Sequence, residues 1–393
     1  MASVSRHLAA ASAAALLCGL SICAQDAHAA GSTKTRMRAA KTHSRSAAGG
    51  ERKRRHRKIS ARKAPAVEID RIPLGPGRWT PAVRDRLEHL LASKNLSAGA
   101  ETPTVIVALE SVAQAHDPGD ALFQRLVDRA EFRFDDDFWK LIPEPFGRER
   151  IRAALSGFKD QPSKLWPKEE SYPLYRKAFY AARKDICAAW SARECARWRA
   201  TLLSGYLEPD LRAAVRELIG PALAEPVRIA RVGDFPEDPE GVEIVTGLRK
   251  VPELEALFRA LERRGCEIWF FSRSDQWSAE GFAKLYGIPP GRVAGVRSIV
   301  RNGTLSAEIV PPVPQGEGAV EAVARFIGRP PVLALGGPGD EGMLRLAQAS
   351  VFFSTAGAVS AQAAGYVQPR FSALREPQRI VSAEAEQERG KRR

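Results

Sequence analysis

The sequence predicts an α/β fold in which a mostly parallel sheet is covered by helices on both faces and a helical insertion follows the first strand. Three observations carry this. An isolated apolar run, "TPTVIVALES" at residues 102–111, reads as a buried strand entering a turn. Residues 131–225 then turn helical and aromatic, with no strand pattern. Over residues 226–375, short apolar runs alternate with amphipathic helical stretches, the signature of strands buried on both faces of a parallel sheet.

In chain order, "RWTPAVRDRLEHLLASKN" is a helix with proline just inside its start, where a missing N–H costs nothing. The opening strand is expected over Val105 to Leu109 and its helix over Pro118 to Arg129. In the insertion, Phe179, Tyr180, Trp190, Trp198 and Tyr206 recur at helical spacing and read as packing. Asp135, Asp136 and Asp137 read as acids favouring a helix start rather than as metal ligands. "SARE" (Ser191 to Glu194) is a capping box that opens a new helix. An unbroken helix would hold Cys187 and Cys195 about 12 Å apart, beyond disulfide reach. A hairpin at the capping box would bring them together; two buried free thiols are the expectation.

After the insertion, "VPELEALFRALERRG" is a helix, "CEIWFFS" a buried strand ending at Ser272 and "SAEGFAKLYGI" helical again. "VRSIVRNGTLSAEIV" is a hairpin around Asn302-Gly303, the dipeptide suited to a tight mirror-image turn. "EGAVEAVARFIG", "PPVLALGG", "DEGMLRLAQA" and "SVFFS" then continue as helix, strand, helix and strand.

Of the 393 residues 44% are hydrophobic and 27% charged, an ordinary globular balance that excludes disorder throughout. The formal charge of +14 is concentrated: residues 32–63 hold thirteen lysines and arginines against Glu51. The folded body is nearly neutral. Residues 1–29 have a basic start, an apolar run and Ala27-His28-Ala29, which reads as a secretory signal cleaved near Ala29. The expected location is therefore periplasmic or secreted, with no transmembrane segment in the mature chain. Residues 30–65 form a basic disordered linker, 66–130 and 226–375 the two parts of the core, 131–225 the helical insertion and 376–393 a charged tail. The arm at 32–63 suits an anionic membrane, an envelope polymer or nucleic acid.

Four segments in this order resemble the haloacid dehalogenase-like phosphatases, in particular the exported phosphoserine and phosphorylcholine phosphatase type with a helical cap. The resemblance runs from about Arg78 to Phe371 and is clearest in "GLRKVPELEALFRALERRGCEIWFFSRSDQWSAEGFAKLYGIPPGRVAGV". "VPPVPQGEGAVEAV" and "LALGGPGDEGML" are similar to the third and fourth motifs. The resemblance implies a Rossmann-like core with a helical cap inserted after the first strand.

It also implies a reaction that this chain lacks the groups to perform. The family's nucleophilic aspartate falls on Ala108 and its acid–base aspartate on Glu110. The hydroxyl following in the first motif falls on Val112, with Ser111 beside it, while the second-motif hydroxyl survives as Ser272, with Ser274 near. The lysine of the third motif falls on Ala319. The fourth motif lacks its first magnesium-binding acid, at or beside Gly337, and keeps Asp340 as a weak metal ligand. No cofactor is expected, and Mg²⁺ belongs only to the phosphatase reading. The leading expectation is an inactive phosphatase homologue that takes a phosphorylated or anionic small molecule through Glu110, Ser111, Ser272, Arg273, Ser274 and Asp340. The alternatives are an enzyme with a substitute catalytic group and a polyanion binder acting through its basic arm. Asp117 and Asp120 are placed on the following helix, away from the strand end, and Ser111 with His116 and Asp117 lacks the glycines of a nucleophile elbow.

Overall fold

The computed structural model describes residues 74, 79, 81–93, 96, 101–354 and 365–367. The signal sequence, the basic arm and the charged tail of the sequence reading lie outside these residues. Helix α1 (Pro81–Ala92) begins on its proline and buries Val83, Leu87 and Leu91, spaced four apart on one stripe. Strand β1 (Thr104–Ala108) is buried along its whole length. A single π turn, Leu109–Ala113, leads into β2 (Gln114–Ala115) and α2 (Pro118–Asp128).

The insertion contains α3 (Asp136–Leu141), α4 (Arg148–Ser156), α5 (Ser171–Ala189), α6 (Ala192–Thr201) and α7 (Glu208–Ala224). Asp135 caps α3 by accepting from the Phe138 N–H at 2.7 Å, so these acids start a helix. The aromatic stripe packs: Phe132 stacks on Phe179 with centroids 5.3 Å apart, and Tyr180 and Trp198 are buried. Next come β3 (Arg228–Val232), β4 (Val242–Thr246) and β5 (Arg249–Lys250), which pairs with β2. The β3–β4 hairpin was not expected from the sequence, because its two strands are only five residues each and exposed Arg228 and Ile229 break the apolar alternation of β3.

The second part of the core follows as α8 (Pro252–Arg263), β6 (Glu267–Asp275), α9 (Gln276–Ala283), β7 (Val293–Arg301) and β8 (Thr304–Val310). It ends with α10 (Glu317–Phe326), β9 (Leu333–Gly336), α11 (Glu341–Arg345), β10 (Ala349–Ser354) and β11 (Gly365–Val367). Seven strands form one sheet in the order β11-β10-β9-β1-β6-β7-β8, parallel except for β8. Chain direction across the sheet reverses at β1, which lies between β9 and β6, so the crevice at its carboxyl end is where ligands gather in such folds. Asn302 and Gly303 both take positive φ at the tight turn between β7 and β8, as their sequence requires. Among the described residues, no helix is long and apolar enough to cross a membrane.

Two expectations are corrected. Strand β6 does not end at Ser272 but continues to Asp275, which caps α9 by accepting from Ser278 N–H at 2.9 Å. Cys187 and Cys195 are not free thiols: they form a disulfide, with Cα atoms 5.0 Å apart. The break that allows it is local. Trp190 is extended and Ser191 closes both halves of its capping box with Glu194, so α6 folds back beside α5.

Gly318 sets the approach of α10 to the preceding loop, since a β-carbon there would sit 1.8 Å from the Val313 carbonyl oxygen. Glycine to alanine within a helix ordinarily stabilises by about 0.5–1 kcal/mol. Here the opposite sign is expected: Gly318→Ala should cost about 3 kcal/mol, because backbone rather than a flexible side chain must give way. Urea unfolding of the two proteins checks this.

Candidate functional site

Parallel pairing of β1 with β6 places Ala108 beside Phe271, so Glu110, in the turn just after β1, meets Ser272 within β6. Glu110 turns back onto β6. Its Oε1 accepts from the Ser272 hydroxyl, from the Ser274 hydroxyl at 2.9 Å and from the Ser274 N–H at 3.2 Å. Its Oε2 accepts from the Arg273 N–H at 3.2 Å. The donors expected to hold an anionic ligand are thus engaged by a carboxyl group of the same chain.

Asp117 is the second acid of this cluster; it stands at the start of the following helix, as the sequence predicts, yet it reaches the same donors. It caps α2 through the N–H groups of Gly119 (2.8 Å) and Asp120 (3.2 Å) and also accepts from the Ser274 hydroxyl. Because α2 starts right under the β1 turn, its cap reaches the crevice. The side chain is only 5% exposed. Arg199 of α6 descends onto it, with both terminal nitrogens 3.3 Å from Oδ2, and pairs with Asp120 as well. Arg199 also donates to the Arg273 carbonyl at 3.2 Å. Arg183 of α5 meets Asp120 at 2.5 Å, and Arg273 Nε lies 3.5 Å from Asp117. A cap-to-core plug of three arginines and two aspartates therefore ties α5 and α6 to the start of α2 and to β6.

The Ser274 hydroxyl has one proton and faces two carboxyl groups, so it cannot satisfy both as ionised acceptors. Burial raises the pKa of Glu110, and the neighbouring charge of Asp117 raises it further, against Arg273. Burial works against ionised Asp117 too, but Arg199 and then Arg273 outweigh it and hold its pKa far below the usual carboxylate range. Of this pair Glu110 is the weaker acid and Asp117 the stronger.

The remaining positions form a second group. Ala108 and Ala319 are 4% and 3% exposed and lie in one apolar cluster with Met343 and Leu344. The places of nucleophile and lysine are filled with packed hydrocarbon. Asp340 accepts from the Gly337 N–H at 2.9 Å and from the Ser111 hydroxyl, and burial raises its pKa. A β-carbon at Gly337 would lie 3.0 Å from both the Phe353 carbonyl oxygen and Ser111 Cβ, so a side chain there would have to push these neighbours aside by a few tenths of an ångström. A magnesium ion does not fit this set, because octahedral oxygen coordination needs acids that Ala108 and Gly337 cannot give. Among the described residues, no group of three His, Cys, Asp or Glu side chains is placed to hold a metal. His116 lies away from Ser111 chemistry, with Nδ1 2.9 Å from the Gly247 carbonyl oxygen.

Glu110, Ser272, Arg273 and Ser274 are therefore brought together, while Ser111 and Asp340 form a separate contact beside Gly337. Asp117, Arg199 and Arg183 were missed. The available signal was Asp117 immediately before Pro118, a cap in front of a first-turn proline at a strand's carboxyl end.

No protein-family model matches the chain, and no curated protein matches it. Among solved structures, a conserved protein of unknown function from Anaerococcus prevotii superposes with TM-score 0.61 at 17% identity, over 72% of this chain and 87% of that one. A substrate-bound phosphoserine phosphatase gives TM-score 0.35 at 12% identity, over 70% of this chain and 98% of that one. A HAD-family hydrolase from Salmonella enterica gives 0.36 at 12% identity, over 71% of this chain and 73% of that one. With strand order β10-β9-β1-β6-β7, the crevice at β1 and helices inserted after it, the chain has a Rossmann-like α/β fold, which it shares with the Anaerococcus prevotii protein.

Proposed function

We propose that this chain is an exported, catalytically inactive homologue of haloacid dehalogenase-like phosphatases that acts by binding rather than by hydrolysis. The observation that carries the reading is the apolar cluster joining Ala108 to Ala319. A methyl group cannot attack phosphorus, and alanine at 319 supplies none of the positive charge that a lysine there would bring to a phosphoryl group. Glu110 does not substitute as acid or base, because its oxygens are turned onto Ser272, Arg273 and Ser274. A phosphorylated or carboxylated ligand in the crevice must displace the Glu110 carboxyl from these donors. The leader at residues 1–29 supports export.

The test is hydrolysis of a generic aryl phosphate with and without Mg²⁺. Loss of a nucleophile alone lowers rates by roughly a million-fold, so the purified wild-type chain should release no phosphate above the blank. Magnesium-dependent turnover that disappears in Glu110→Gln would refute the reading.

The thirteen basic residues at 32–63 favour a second binding mode, attachment to a polyanion. It is read out as salt-sensitive retention on duplex DNA, anionic vesicles or an acidic polymer, lost on deleting residues 30–63.

A further inference from the structure

The β3–β4 hairpin presents an unused edge. The Val245 carbonyl accepts from Gln124 Nε2 at 2.6 Å, so it points away from β3. Val245 faces Ile229 in the register, which makes them a pair that exchanges no ladder bonds. The N–H and C=O of Ile229, and two residues on those of Arg231, consequently point to the open side of β3. Among the described residues, none of these four groups has a hydrogen-bond partner. Ile229 is 65% exposed and Phe235, in the following loop, 54%. Proteins ordinarily protect such edges with a covering element, a proline, short strands or charged side chains; β3 carries Arg228 and Arg231 but leaves Ile229 open between them.

The charge along this strand selects the occupant. Arg228 and Arg231 are exposed on β3, while the loop after it carries Asp234, Glu237, Asp238 and Glu240. Lys177 sits 3.1 Å from Asp234 and 2.8 Å from Asp238, and the loop remains acidic. A uniformly acidic strand would meet the loop, and a uniformly basic one the arginines. A second β3 running antiparallel sets Arg228 of each copy near the acidic loop of the other, two attractive pairs against one diagonal Arg231–Arg231 pair across the axis.

We propose that two copies of this chain pair through β3 about a twofold axis at Ala230, giving a four-stranded β4-β3-β3-β4 sheet. In this register, Ile229 exchanges backbone hydrogen bonds with the partner's Arg231, and Arg228 lies diagonal to the partner's Asp234. Outward-facing groups meet only outward-facing groups, and the contact is self-complementary as a twofold interface requires.

Sedimentation velocity of the purified chain over the micromolar range should show a dimer. Ile229→Pro removes an outward N–H and leaves the ladder to β4 intact, so it should give a folded monomer with unchanged far-UV circular dichroism. Ala230→Cys places two sulfurs across the axis, at a Cα separation of about 4.5 Å, within disulfide range. Mild oxidation should then yield a covalent dimer on a non-reducing gel. A monomer at every concentration overturns the proposal. So does a dimer that survives Ile229→Pro and gives no Ala230→Cys crosslink.

Discussion

Arg199→Met is expected to destabilise the protein by about 3 kcal/mol at neutral pH, the lower end of the cost of leaving a buried charge without its partner. Arg199 donates to Asp117, to Asp120 and to the Arg273 carbonyl. Methionine keeps the apolar stem and removes the donors. Asp120 retains Arg183 at 2.5 Å, whereas Asp117 is left with Arg273 Nε at 3.5 Å. The penalty therefore falls on Asp117, and its pH dependence identifies it.

The folded-state pKa of Asp117 is depressed, chiefly by Arg199 working against burial. Its stabilisation is thus complete above the unfolded value of about 3.9 and is lost as pH falls toward the folded value. The gap between wild type and Arg199→Met should be full near pH 7 and should narrow below about pH 4 as the carboxyl protonates. Arg199→Lys should recover only part, since one ammonium cannot span two carboxylates as a guanidinium fork does. Urea unfolding at several pH values measures all three. A constant gap would assign the loss to packing, and a gap under about 0.5 kcal/mol, the size of a surface effect, would mean that the plug carries no weight.

The parts of the architecture that were legible in the sequence are those whose causes are local. Asn302-Gly303 forms its turn because both residues tolerate positive φ, and "SARE" forms its cap because serine and glutamate answer each other within one turn. The apolar runs of β1, β6, β9 and β10 needed only burial on both faces. The crevice was half legible. Ala108, Glu110, Ala319 and Gly337 mark it by their motifs, yet nothing local says where a freed carboxyl will turn. Glu110 takes the Ser272–Ser274 donors because parallel register sets the turn after β1 beside Ser272 within β6. Arg183 and Arg199 read as ordinary charges on helical surfaces, and their acid partners lie more than sixty residues away on α2. The disulfide was misjudged for a related reason: cap chemistry marks the start of α6 but not the angle at which it returns.

Rebuilding the missing groups should not rebuild the enzyme. Ala108→Asp inserts a carboxylate into the apolar cluster of Ala319, Met343 and Leu344. It is expected to cost about 3 kcal/mol, the scale of an uncompensated buried charge. Adding Ala319→Lys supplies a counter-charge, so the double variant should lose less than the sum of the single losses. Hydrolysis should still be absent. The double variant still has glycine at 337, where the first magnesium acid would stand, and a side chain there would press on Ser111 and the Phe353 carbonyl. Arg199 would still hold Asp117, and Glu110 would still hold the donors that a phosphate needs. Paired measurements of phosphate release and urea unfolding on the two single variants and the double decide the matter. Magnesium-dependent turnover by the double variant would mean that only two side chains separate this fold from catalysis, and that neither Arg199 nor Glu110 is a barrier.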